Sequence, residues 1–377
     1  MRTLIISDLH LGSTSGADVL RRAAVREALI AAVADVERVV LLGDVIELRH
    51  GPPGEAMEFA RPFFQELGAA LEGREIVINA GNHDHALVEP WLETRALELE
   101  PGPLAVENVL DAGGVSAAYA QIARWAEPAR VRIAYPGVWL RPDVYAMHGH
   151  YLDSHLTVPT LERLSVGVMS RVVKRPAGSL SSADDYEAVS SPVFAWRDAV
   201  ARSGRTGESL NGMATVTAWR ALSGSGSGRR ASWRTRASRR AVAAAFPPAV
   251  ALLNRVGIGP LSASVSPGEL RRAGLLAMGE VAARLGLGDA YVVFGHTHRA
   301  GPLAGDHEHE WVGRSGARLV NTGSWTYSPV FLGGPGESPY WPGCAVLVPD
   351  SGPPAVVRLL DGFTAEQLAP PRAASVR

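Results

Sequence analysis

Asp8 and His10 stand two residues apart at the end of an apolar run, Leu4-Ile5-Ile6, that has the β-branched bias of a buried strand. On a strand, residues two apart project from one face, so a carboxylate and an imidazole are presented together. That pair suits a divalent cation, although a strand ending in a turn with a solvated Asp and a stray His would read the same. The rest of the chain supplies matching pieces: Asp44, Asn82-His83-Asp84, His148 and His296-Thr297-His298. Carboxylates, imidazoles and an amide oxygen, with no thiolate among them, fit Mn, Fe, Zn or similar ions and disfavour a softer site.

The surrounding pattern predicts the elements that hold these residues. Residues 2–110 read as strand-then-helix units, with a strand over 2–7, a helix near 18–35, a strand over 38–42 stopping at Gly43-Asp44, a helix over 55–72, and a strand over 75–80 stopping at Gly81-Asn82. Continuous apolar strands alternating with helices imply a sheet covered on both faces. Ligands gather at the carboxyl ends of such strands, where all three polar motifs fall. Residues 103–148 read as β-rich, with Pro136-Gly137 marking a turn, and a strand over 143–147 delivers His148-Gly149-His150. The segment 155–285 is read as a helical insertion or cap, containing a Ser/Gly linker at 223–228 and an arginine run at 229–240 that together form a flexible loop. A strand over 290–294 then ends in Gly295-His296-Thr297-His298. A hairpin through 313–316 is expected to join strands around 310–312 and 318–320, with Asn321-Thr322-Gly323-Ser324 following them. These boundaries divide the chain into a core at 1–154 and 286–365, the insertion, and a frayed tail over 366–377.

A chain of 377 residues has room for a sizeable core, and a net charge of -1 gives no global case for nucleic acid. The single cysteine, Cys344, excludes an internal disulfide and a thiolate cluster. The chain opens on a strand-like run rather than a charged and then apolar leader, and no apolar run reaches spanning length, so a cytoplasmic protein is expected.

Taken together, Asp8-Leu9-His10, Gly43-Asp44, Gly81-Asn82-His83-Asp84, His148-Gly149 and Gly295-His296-Thr297-His298 resemble the calcineurin-like metallophosphoesterase family, in the family's order and at strand ends. The resemblance covers roughly 1–150 and 286–362 and leaves the insertion uncovered. It implies an α/β fold of four layers, two β-sheets flanked by helices, with a centre of two divalent metal ions at one edge. It also implies that Asp8, His10 and His298 hold one ion, that Asn82, His148 and His296 hold the other, and that Asp44 bridges them. A hydroxide shared by the two ions would then attack phosphorus in line. His83 would be the acid that protonates the leaving oxygen, where the plain alternative is a histidine capping a helix that begins near Asp84. Asp84 is expected to orient its loop or to cap that helix.

Glu47, Arg49, His150 and Arg299 are the candidate substrate contacts, whereas His307 and His309 read as surface residues. Asp8-Leu9-His10-Leu11 and Arg299 are also similar to the pyrophosphatases that hydrolyse UDP-2,3-diacylglucosamine. The chain departs from that subgroup with His150 in place of an acid and His83 in place of an arginine. The expected activity is hydrolysis of a phosphate mono- or diester on a small-molecule or lipid-linked substrate. The alternatives are a nucleotide-sugar or lipid pyrophosphatase and a phosphodiesterase or nuclease. A non-catalytic scaffold comes last, because no expected ligand is missing. The arginine run and the apolar stretch after it, 229–256, offer a weak peripheral membrane contact, and oligomeric state is not readable.

Overall fold

The computed structural model describes residues 1–202, 246–263, 266–329, 332 and 338–370. The β-branched and aliphatic runs become strands: β1 (Thr3–Ile6), β2 (Arg38–Leu42), β3 (Glu75–Asn79), β4 (Glu107–Asp111), β5 (Arg130–Arg141), β6 (Val144–Met147), β7 (Tyr291–Phe294), β8 (Arg318–Asn321), β9 (Cys344–Val348) and β10 (Ala355–Arg358). They form one ten-stranded hydrogen-bonded path in the order β10-β9-β1-β2-β3-β5-β6-β7-β8, with β4 added alongside β5. Strands β1, β2, β3 and the start of β5 run parallel, as do β6, β7 and β8.

Alternation along the strands sorts the core. Ile5, Val40, Leu42 and Val77 from the first half share one apolar cluster with Val144, Ala146, Val293 and Val320 from the second. Their neighbours in the first half, Leu4, Ile6, Val39 and Leu41, face helices α1 (Ala23–Ala32), α2 (Pro53–Ala70) and, beyond the short α3 (Glu89–Ala96) and α4 (Ala112–Val115), α5 (Ala117–Trp125). Those in the second half, Tyr145, Met147, Val292 and Phe294, pack with α6 (Leu161–Val172), α7 (Ala183–Arg202) and, after a helix α8 over 246–255, α9 (Pro267–Arg284). The molecule is therefore a mixed α/β protein with one large sheet and helices packed against it, and one apolar cluster draws on strands of both halves.

β5 joins those halves, and it corrects the turn expected at Pro136-Gly137. The strand runs through both residues. Its pairing with β3 ends at Ile133 and its pairing with β6 begins at Gly137, while β4 meets it there with a bulge, so proline sits where partners change. The helix expected at 18–35 is a 3-10 turn (Val19–Arg21) followed by α1, because the Val19 N–H is taken by the carbonyl of Trp325. The strand expected at 310–312 is instead a 3-10 turn (Glu308–Trp311), held by an ion pair from Glu310 to Arg271 on α9, and only Val312 bridges to Arg318. α5 falls in a stretch expected to be β-rich. It starts at Ser116, whose hydroxyl accepts the Tyr119 N–H at 3.2 Å, and buries Tyr119, Ile122 and Trp125 on one face.

The tail is ordered past its expected start, since Thr364 and Gln367 cap a helical turn that buries Leu368. The linker and arginine run lie outside the described residues, as does most of the proposed membrane contact. Among the described residues, no helix is long and apolar enough to cross a membrane. Ile5, fully buried in that shared cluster, tests this packing: Ile5→Ala should cost about 2–5 kcal/mol, seen as a lower urea midpoint with an unchanged slope.

Candidate metal centre

The carboxyl ends of β1, β2, β3, β6 and β7 lead into Asp8 and His10, Asp44, Asn82 and His83, His148, and His296 and His298. At these ends the backbone turns into the left-handed region. Asp8 (φ 55), His10 (φ 46), Asp44 (φ 51), His296 (φ 66) and His298 (φ 59) adopt it, and of the other described non-glycine residues only Lys174 does. L-residues pay about 1–2 kcal/mol for that conformation, so five such residues at one edge mark a site that the surrounding structure holds in place. Two preceding glycines leave the space required. A Cβ on Gly81 would lie 2.2 Å from Asp44 Oδ1, and one on Gly295 would lie 2.2 Å from Ser7 Oγ.

The side chains converge as three overlapping groups: Asp8, His10 and His298; His10, Asp44 and His83; and Asp44, His148 and His296, with the ligand atoms of each group within 4.8 Å of one another. Asp8 Oδ1 is 3.2 Å from His298 Nε2, and Asp44 Oδ2 is 3.4 Å from His148 Nε2 and 3.7 Å from His10 Nε2. Asn82 Oδ1 joins the same side, 3.2 Å from His148 Nε2.

Outer partners aim these nitrogens inward. His10 Nδ1 contacts Glu47 Oε2 at 2.9 Å and His148 Nδ1 contacts the carbonyl of Leu42 at 2.9 Å, which directs each outer N–H away and leaves the Nε2 atoms facing the carboxylates. His296 Nε2 meets Asp153 at 3.1 Å, freeing its second nitrogen. The centre is thus lined by electron-pair donors facing one another, and the buried Asp8 Oδ1 finds no hydrogen-bond partner among the described residues. A donor set of this kind fits divalent cations.

Charge supports the same reading. Burial pushes Asp8 up, but His298 and His148 outweigh it and hold the carboxyl at about 2. Asp44 is likewise held well below the usual range, with burial outweighed by His148 and His83. Burial pushes His10 and His148 down, yet Glu47 and Asp44 raise His10 to about 9 and Asp44 raises His148 to about 10. Without a cation, protons on the imidazoles offset the buried carboxylates. Asp84, driven up to about 6 by burial and by Asp44, accepts the N–H groups of Gly81 and Val45 at 2.7 Å each and so clamps two ligand loops. It caps no helix with its side chain.

His83 donates its backbone N–H to Asp44 Oδ1 at 2.7 Å and rests Nδ1 on Glu47 at 2.9 Å, with burial lowering its pKa against the pull of Glu47. It opens onto a cavity of about 660 Å³ that His10, Asp44, Asn82, His296 and His298 also line.

The candidate substrate contacts fare differently. Glu47 is buried and committed to His10 and His83, so it supports the centre rather than reaching for substrate. Arg49 turns away from the cavity, its Nε 3.1 Å from Asp198 and its guanidinium over Phe194. His150 is buried between His148 and Phe194 and does not reach the cavity. Arg299 does line the cavity, but it forks onto Asp306. His307 and His309 are exposed. Sequence reasoning missed Asp153, which a short spacing of five residues after His148 could have flagged, and Arg197, which lines the cavity and pairs with Glu162 at 3.1 Å. Asn321 and Thr322 brace the loops from behind through Gly295, Thr297 and Ser7.

A family model, calcineurin-like phosphoesterase, matches residues 1–185, from β1 into α7, and over that length the chain is a member of that family. It is a hydrolase acting on phosphoric esters, in a family that uses divalent metals. No curated protein matches the sequence.

Because His10 and His148 carry protons up to about 9 and 10, a cation must displace them. Uptake of Mn²⁺ by chelator-stripped protein should therefore release protons, and apparent affinity should rise between pH 6 and pH 9. Calorimetry in buffers of different ionisation enthalpy measures both, and an affinity flat in pH would contradict this arrangement.

Proposed function

We propose that the chain is a two-ion phosphoesterase that hydrolyses a phosphate mono- or diester. The observation that carries the reading is Asp44, whose carboxylate lies between the His10 and His148 sides of one continuous donor set. Asp8, His10 and His298 would hold one ion and Asn82, His148 and His296 the other, with Asp44 shared. Two divalent cations there would polarise the phosphoryl oxygens and lower the pKa of water to about 7.

The chain's own groups would do the rest. His83, braced at Nδ1 by Glu47, turns its other nitrogen to the cavity, where it would protonate the leaving oxygen. Arg197 would offer a guanidinium to a second anionic group. The apolar layer shared by the two halves of the sheet, with helices outside each, supports a four-layer arrangement. Leu156, Leu270 and Leu275 also line the cavity near Arg197, which favours as a second reading the hydrolysis of a nucleotide-sugar or lipid-linked diphosphate. A nuclease is less well supported, since the cavity arginines Arg271 and Arg299 pair with Asp306 and Glu310.

Stripped protein supplied with Mn²⁺ should hydrolyse nitrophenyl phosphate mono- or diesters and lose that activity to chelator. Asp44→Ala should abolish turnover together with metal uptake. His83→Ala should lower kcat by about 10²–10⁴ with metal content intact, and unchanged turnover in this variant would remove His83 from the chemistry.

A further inference from the structure

Glu187 lies on α7, two residues beyond the segment the family model matches, and its buried carboxylate is a junction. Oε1 accepts the hydroxyl protons of Tyr135, at 2.6 Å, and of Tyr151. Oε2 accepts from the Ser191 hydroxyl and from His85 Nε2, the latter at 3.2 Å. Four donors satisfy an ionised carboxylate, and although burial raises Glu187, His85 outweighs it and holds the group at about 2.

The positions of these donors matter more than their number. His85 comes three residues after Asn82, and Tyr151 comes three residues after His148. One carboxylate on a helix therefore ties together the two loops that carry Asn82 and His148, whose side chains meet at 3.2 Å. Phe194, two turns along α7, packs against both loops as well, with its ring 5.1 Å from His85 and 5.3 Å from His150. The other side of the centre has a separate brace, because His10 rests on Glu47.

We propose that Glu187 is a positioning residue that sets the spacing of the Asn82 and His148 loops, and through it the affinity of the Asn82–His148–His296 side for its cation. The inference rests on the two-ion reading. It assigns α7 a task in metal binding that its distance from the ligands in sequence conceals. Partners that orient metal ligands typically contribute about 10–100-fold in affinity.

The test is a Mn²⁺ titration of the chelator-stripped full chain, read by the electron paramagnetic resonance of free Mn²⁺, alongside thermal unfolding. In the wild type two equivalents should bind. Glu187→Gln should weaken one equivalent by about 10–100-fold and leave the other unchanged, and Tyr151→Phe should weaken the same equivalent by less. Equal weakening of both equivalents, or unchanged affinities with a lowered unfolding midpoint, would reduce Glu187 to a fold residue and overturn the proposal. If Glu187→Gln does not fold, Tyr151→Phe and Tyr135→Phe decide the matter, and unchanged affinities in both overturn it. A wild type that binds one equivalent refutes the two-ion reading on its own, and an unchanged single affinity in Glu187→Gln then refutes the tether as well.

Discussion

Everything in this structure answers to one electrostatic problem: two buried carboxylates, Asp8 and Asp44, stand among imidazole nitrogens at one edge of the sheet. Isolated buried charges of that kind are prohibitive unless an opposite charge accompanies them. Imidazole protons can supply it, as the raised His10 and His148 show, and divalent cations supply it more fully. The sheet makes the convergence possible by ending five strands at the same edge.

Holding such a centre requires a rigid shell. The left-handed backbone at five donor residues is unfavourable in isolation and persists because the surroundings over-determine it. Asp84 fixes the Asp44 and Asn82 loops through backbone N–H groups, Glu47 joins His10 to His83, and Asp153 orients His296. These partners touch the donors directly or through their loops, and Glu47 and Asp153 also reach the cavity wall. Partners of this kind are what orient the side chains of a metal centre.

Much of the centre was legible in the sequence, for a local reason. Each donor follows an apolar strand within a few residues, so strand pattern and residue type identify Asp8, His10, Asp44, Asn82, His148, His296 and His298 together. What was not legible depends on contacts between distant segments. Glu187 carries no signal of its own in the sequence, and its role emerges only where Tyr135, 52 positions away, donates to it. Arg49 and His150 sit beside donors in the sequence yet turn into the core, because Asp198 and Phe194 arrive there from α7. The same holds for β5, whose proline reads as a turn until the change of strand partner is known.

The central claim is that Asp44 stands between two cations. Crystals of the full chain grown with Mn²⁺ and measured at the manganese absorption edge test it most directly. The account predicts two anomalous peaks about 3.5–4 Å apart, one beside Asp8, His10 and His298, the other beside Asn82, His148 and His296, with the Asp44 carboxylate reaching both. A single peak, or peaks away from Asp44, would contradict it.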